Sequence, residues 1–178
     1  SAASLIKDGK VDEAIAQIQK ELDEHPENAR AHELLALAHL KQNKLAAAEN
    51  SAKQALSLDS SSASVHLSAA RVAIARQNWA LADKELTAAN EIDSSMAEIH
   101  LYRGSLNLAK KDYRGAVQVL TPFVHDNPDE AYGHYYLGLA QYSLKRPDKT
   151  VEHFQRFLAL APHAPEAARV ESLLRSIR

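Results

Sequence analysis

The sequence predicts an all-α protein built from stacked helix pairs, and three observations carry that prediction. The first is composition. Alanine occurs 32 times in 178 residues, against only 5 glycines and 6 prolines. Alanine has the best intrinsic helix propensity and glycine and proline the worst, so a β-sandwich or a doubly wound sheet is disfavoured from the outset. The second is repetition. His32, His66, His100 and His134 stand 34 residues apart. The same step links Ala14, Ala48, Ala82, Ala116 and Thr150, and again Ala55, Ala89, Phe123 and Phe157. The third is periodicity. Each 34-residue stretch holds two segments with apolar residues at i, i+3 and i+4, the mark of amphipathic helices.

The elements follow in order. Ser1–Asn28 reads as a repeat lacking its first six residues, which points to further chain upstream. Full repeats run 29–62, 63–96, 97–130 and 131–164, and 165–178 is a final half-repeat. In the repeat from Ala29 the first helix covers about Arg30–Gln42 and the second about Leu45–Leu58. Breaks between the helices of a pair fall at Gln42-Asn43, Gln77-Asn78, Lys111-Asp112 and Arg146-Pro147. Pro147 suits the first turn of a helix, where a missing N–H costs nothing. Pro122 falls inside the second helix of its repeat, a position that costs about 3 kcal/mol in a straight helix; it predicts a kink. Five pairs and one end helix make eleven helices. The end helix carries Val170, Leu173, Leu174 and Ile177 on one face and is expected to cap the stack, because a lone helix pair cannot bury its own apolar face.

A 34-residue unit with small residues at its eighth and twentieth places resembles the tetratricopeptide repeat (TPR). The resemblance rests on Leu137-Gly138, on the Ala48, Ala82 and Ala116 series, on Lys110–Ala116 (KKDYRGA), and on Pro26, Pro128 and Pro162. It covers essentially the whole chain. It implies a right-handed superhelical solenoid over residues 1–178 as a single domain, with a concave groove that holds peptides or helices. The alanine-rich repeats with histidine at the fourth place look similar to bacterial members of the family.

Charge and chemistry exclude several functions. With 21 Lys+Arg and 23 Asp+Glu the net charge is −2, without the basic excess of a duplex or membrane-surface binder. There is no cysteine, hence no disulfide, thiol nucleophile or zinc–thiolate site. No glycine cluster offers a phosphate loop, and no run of about 20 apolar residues offers a membrane span. The compartment, cytoplasmic or periplasmic, stays open. Histidines on successive stacked helices stand about 8–10 Å apart, too far to share one ion, so no metal or other cofactor is expected. The fourth-place histidines are read as packing residues, Ser60–Ser62 and Ser64 as loop and cap residues, and the scattered Asp and Glu as a solvated exterior. No catalytic constellation emerges, and the chain is not expected to be an enzyme.

What remains is surface. Places two, five, nine and twelve of each first helix form one stripe at helical spacing. The stripe reads Arg30, Glu33, Leu37, Leu40; Ser64, Leu67, Arg71, Ile74; Glu98, Leu101, Ser105, Leu108; and Tyr132, Tyr135, Leu139, Tyr142. By the resemblance this stripe lines the groove, and the candidate peptide-binding residues are Leu67, Arg71, Ile74, Leu101, Ser105, Leu108, Tyr132, Tyr135, Leu139 and Tyr142. The Lys and Asn that family members use to clamp a terminal carboxylate are absent at places five and nine. Four of the six tyrosines lie in 131–144, where binding and packing both account for them; Tyr135 and Tyr142, two turns apart, are the expected anchors. The expected function is a protein-binding scaffold. The alternative is a structural element that joins copies of itself or spaces domains of a longer chain.

Overall fold

The computed structural model describes residues 1–177, which hold eleven α-helices and no strand among them. They are α1 (Ala2–Lys7), α2 (Val11–Glu24), α3 (Ala29–Lys41), α4 (Leu45–Leu58), α5 (Ala63–Ala75), α6 (Trp79–Ile92), α7 (Ala97–Ala109), α8 (Tyr113–Asp126), α9 (Ala131–Ser143), α10 (Pro147–Leu160) and α11 (Ala167–Ile177). The α3 helix starts and ends one residue earlier than the sequence suggests, and α4 has the expected bounds. The chain divides into two compact halves, Ser1–Ile99 and His100–Arg178.

One turn recurs throughout. The residue at place fifteen is left-handed in every repeat: Gly9, Asn43, Gln77, Lys111 and Lys145, with φ between 57° and 77°. In each the next amide reaches back to the carbonyl five residues earlier, as in Lys44 to His39 at 2.9 Å and Arg146 to Gln141 at 3.0 Å. This closes the first helix and satisfies its last carbonyls. Second helices then start on side-chain caps where the sequence supplies them: Asn78 accepts from the Leu81 amide and Asp112 from the Gly115 amide. Asn28 and Ser62 do the same for first helices. Pro147 stands at the first turn of α10. Pro122 is exposed within an unbroken α8.

In the N-terminal half α1 packs on α2 and α3, α3 on α4 and α5, and α5 on α6. Its core joins Ile6, Ala14 and Ile18 around α1–α3, and Ala36, Ala48, Ala52, Ala69 and Val72 around α3–α5. In the C-terminal half α9 packs on α8 and α10, and α11 on α10. Place twenty is wholly buried in every repeat, from Ala14 to Thr150, which explains its small residues. Place eight is matched to its partner across the pair. A Cβ on Gly138 would overlap the Phe154 ring, and one on Gly104 the Leu120 side chain; in the repeat from Ala29, where the partner is Ala52, place eight is Ala36. At the two glycine positions the missing side chain makes room for a large residue of the opposing helix.

Candidate functional site: the first-helix stripe

The structure sorts the stripe by place. The fifth-place residues Leu67, Leu101 and Tyr135 are buried. The ninth- and twelfth-place residues Arg71, Ile74, Ser105, Leu108 and Leu139 are half-buried, Tyr132 is half-buried, and Tyr142 is 39% exposed.

The reason the fifth place is buried shows at Glu33, which is only 3% exposed. Its carboxylate accepts from Ser68 Oγ at 3.0 Å and Ser64 Oγ at 3.3 Å on α5, and pairs with Arg30 at 2.6 Å. The next first helix therefore lies over this place. At the C-terminal end α11 and the residues before it take the same position. Tyr132 Oη donates to Glu166 at 3.0 Å, and Tyr135 hydrogen-bonds Arg169. The Tyr135 ring packs 5.1 Å from Phe157 and 5.4 Å from Tyr136, in a cluster that includes Phe154 and Val170. The two expected anchors are thus unlike: Tyr135 is 6% exposed and serves packing, while Tyr142 emerges at the end of α9. It borders an open depression with Lys145, Arg146, Pro147 and Ile177.

Electrostatics follow burial. Burial, with Glu166 as acceptor, raises the Tyr132 phenol well above its ordinary range. Burial pushes Tyr136 up to about 12, against a hydrogen bond from Ser105 that acts the other way. These phenols are neutral donors and apolar rings at neutral pH, not nucleophiles.

Two buried carboxylates were not expected. Glu33 and Glu85 (3% exposed) are read from sequence as exterior, yet both are interior. The available signal is register: place five holds Leu67, Leu101 and Tyr135 in other repeats, and the place of Glu85 holds Ser51, Val119 and His153. The fourth-place histidines likewise do more than pack. The Nε2 of His32, His66 and His134 lies 2.9–3.0 Å from the carbonyl of Pro26, Ser60 and Pro128, each six residues earlier. The ring thus ties the start of a first helix to the preceding loop, whereas His100 is exposed. An apolar crevice of α4–α6, floored by Ala52, Leu56, Ala69, Val72 and Ala73 and edged by the Glu49–Arg76 ion pair, also escaped sequence reasoning. Alanine at places seven and eleven leaves it open.

Comparison with known proteins places this geometry. The Tetratricopeptide repeat family matches residues 2–63, 35–95 and 108–165. A thermophilic TPR protein of Thermus thermophilus superposes with a TM-score of 0.85 at 19% identity, covering 98% of this chain and 95% of that one. Pseudomonas aeruginosa pilF superposes with a TM-score of 0.69 at 28% identity, covering 83% of this chain and 68% of that one. YrrB, described as a TPR protein with an unusual peptide-binding site, superposes with a TM-score of 0.62 at 16% identity, covering 96% and 88%. No curated protein sequence matches significantly. No helix among the described residues is long and apolar enough to cross a membrane. The 34-residue register, the recurring left-handed turn and the family match over most of the chain agree: this protein belongs to the tetratricopeptide repeat family, whose helical repeats serve as scaffolds for protein–protein interaction.

Proposed function

We propose that the chain is a binding module, not an enzyme, that holds a peptide or amphipathic helix of another protein against the open places of its first-helix stripe. The observation that carries this reading is the exposure pattern. Within each half the fifth-place residues are buried and the ninth and twelfth places are more exposed: Arg71 and Ile74 in the N-terminal half; Ser105, Leu108, Leu139 and Tyr142 in the C-terminal half. Tyrosine with a large apolar face and a polar tip is a frequent hot-spot residue. The similarity to YrrB, with its peptide-binding site, supports the reading. The test is capture of partners by the intact chain from a lysate, identified by mass spectrometry, followed by affinity measurement with Tyr142→Ser. Loss of a hot-spot aromatic costs about 2 kcal/mol, roughly 30-fold in affinity. A Tyr142→Ser chain that folds and binds its partner with unchanged affinity would remove this end of the stripe from the site.

One observation favours the alternative, self-association. The N-terminal half carries 10 Lys+Arg against 15 Asp+Glu, and the C-terminal half 11 against 8. Opposite net charges on the two halves favour head-to-tail contact between copies. Sedimentation in 20 mM and 500 mM salt tests it: a concentration-dependent oligomer that dissolves in high salt supports this reading, and a monomer in both removes it.

A further inference from the structure

The buried side chains that the binding reading leaves unused include His134 and His153. Their Nδ1 atoms lie 3.2 Å apart, and both rings are at least nine-tenths buried. His134 Nε2 faces the Pro128 carbonyl at 3.0 Å. A carbonyl only accepts, so Nε2 carries the proton, and the neutral His134 ring presents a bare Nδ1. His153 must then donate its Nδ1–H to it. The couple holds one proton between two nitrogens and ties α9, α10 and the preceding loop together. The ring centres are 5.5 Å apart, so the two nitrogens point at each other along the line of centres. A shared ion would need both lone pairs converging on a point about 2.0–2.1 Å from each, which this arrangement does not provide.

We propose that the His134–His153 couple is an acid-released latch, which loosens the α9–α10 pair in mild acid while the equivalent tie in the N-terminal half holds. The first added proton goes to the outer Nε2 of His153 and leaves the hydrogen bond intact, at the expense of placing a buried charge. A further proton on the facing Nδ1 would set two N–H groups and two positive charges against each other at 3.2 Å. The equivalent tie has a carboxylate where this couple has a second imidazole. His66 Nδ1 lies 2.6 Å from the buried Glu85 carboxylate and its Nε2 3.0 Å from the Ser60 carbonyl. A protonated His66 donates to both, whereas a neutral ring donates to one.

The surroundings do not cancel the effect. On α10, Glu152 favours the protonated ring but is paired with Lys149 at 2.8 Å. Arg156 is engaged by Asp129 at 2.5 Å and by the Pro128 carbonyl. At the end of α8, His125 and Asp126 pair with each other at 2.9 Å. Burial lowers the His153 imidazole below its ordinary range; Glu152 pulls it back, and His134 and Lys149 lower it further. The folded chain therefore takes up this proton less readily than the unfolded chain. Its stability contribution is whole above the unfolded value of about 6.5 and is lost as pH falls below it.

The test is amide hydrogen exchange on the full chain at pH 7.5 and 5.0, corrected for intrinsic rates, with an NMR titration of the histidine ring protons. Protection across α9 and α10 should fall by about tenfold more than across α5 and α6, the loss expected from 1.4 kcal/mol. His153→Gln keeps a donor for His134 and cannot titrate, so it should abolish that difference. A His153 ring that titrates at or above the free value, or a fall in protection no larger in α9–α10 than in α5–α6, overturns the proposal. So does a difference that persists in His153→Gln. Should His153→Gln fail to fold, the ring titration and exchange of the unsubstituted chain decide alone.

Discussion

Truncating Tyr135 and Tyr142 in parallel tests the division of the stripe into floor and open face. The two residues share one face of α9, and their places in the repeat are equivalent by sequence criteria. The structure separates them. Tyr135 is 6% exposed, its ring in edge or tilted contact with Tyr132, Tyr136 and Phe157, and the Val170 side chain closes the cluster. Removing a ring from such a cluster loses its transfer energy and leaves a cavity, and Phe→Ala in cores costs about 3–5 kcal/mol. Tyr135→Ala should fall in that range and lose the hydrogen bond with Arg169 as well. For a chain of this size each kcal/mol moves the midpoint by about 2–4 °C, so melting should drop by about 6–20 °C. Tyr142→Ala removes a side chain 39% exposed with no aromatic contact to Tyr135 and should stay within about 0.5 kcal/mol of the parent. Urea unfolding followed by far-UV circular dichroism measures both. A Tyr135→Ala chain less than about 1 kcal/mol below the parent would refute the floor, because a fully packed aromatic cannot be lost so cheaply. Equal losses for the two variants would show that Tyr142 also serves packing.

Gly138→Ala should destabilise by about 1–3 kcal/mol, because its methyl overlaps the Phe154 ring and overpacking costs that much; calorimetry on Gly138→Ala and Gly138→Ala with Phe154→Leu should show the second change recovering part of the loss. Deleting 165–178 removes the wholly buried Val170 and uncovers Tyr135 and Phe157, so the shortened chain should melt lower and aggregate sooner in light scattering; an unchanged midpoint would make α11 a passive tail. Alkaline titration read at the phenolate absorbance should show Tyr132, Tyr135 and Tyr136 lagging the ordinary value, since burial raises all three. The stability they contribute is whole below about pH 10 and is lost as pH rises from there towards 12 and beyond, as the unfolded chain releases the protons first.

Much of this protein is legible in its sequence because a repeat writes the same local instruction several times. The helix bounds, the breaks near place fifteen, the small residues at places eight and twenty and the apolar face of Val170, Leu173 and Leu174 all follow from periodicity and propensity, which act within a few residues of themselves. The stripe was legible as a stripe for the same reason. What sits on top of it was not. Whether Tyr135 faces a ligand or a neighbour depends on the helix that lies over it, and Glu166, Arg169 and Val170 are more than 30 residues away in sequence. The interior location of Glu33 and Glu85 depends on partners distant in sequence, Ser68 and His66, that satisfy a carboxylate which would otherwise be too costly to bury. The histidine series shows the boundary between the two kinds of information most plainly. Its 34-residue spacing is visible at once, but His66 and His134 each combine a hydrogen bond to a loop carbonyl on one nitrogen with a partner on the opposite helix on the other. Short-range pattern determined which helices form; only tertiary packing decided which of their polar groups meet, because hydrogen bonds are selected by ångström-scale proximity that periodicity does not encode.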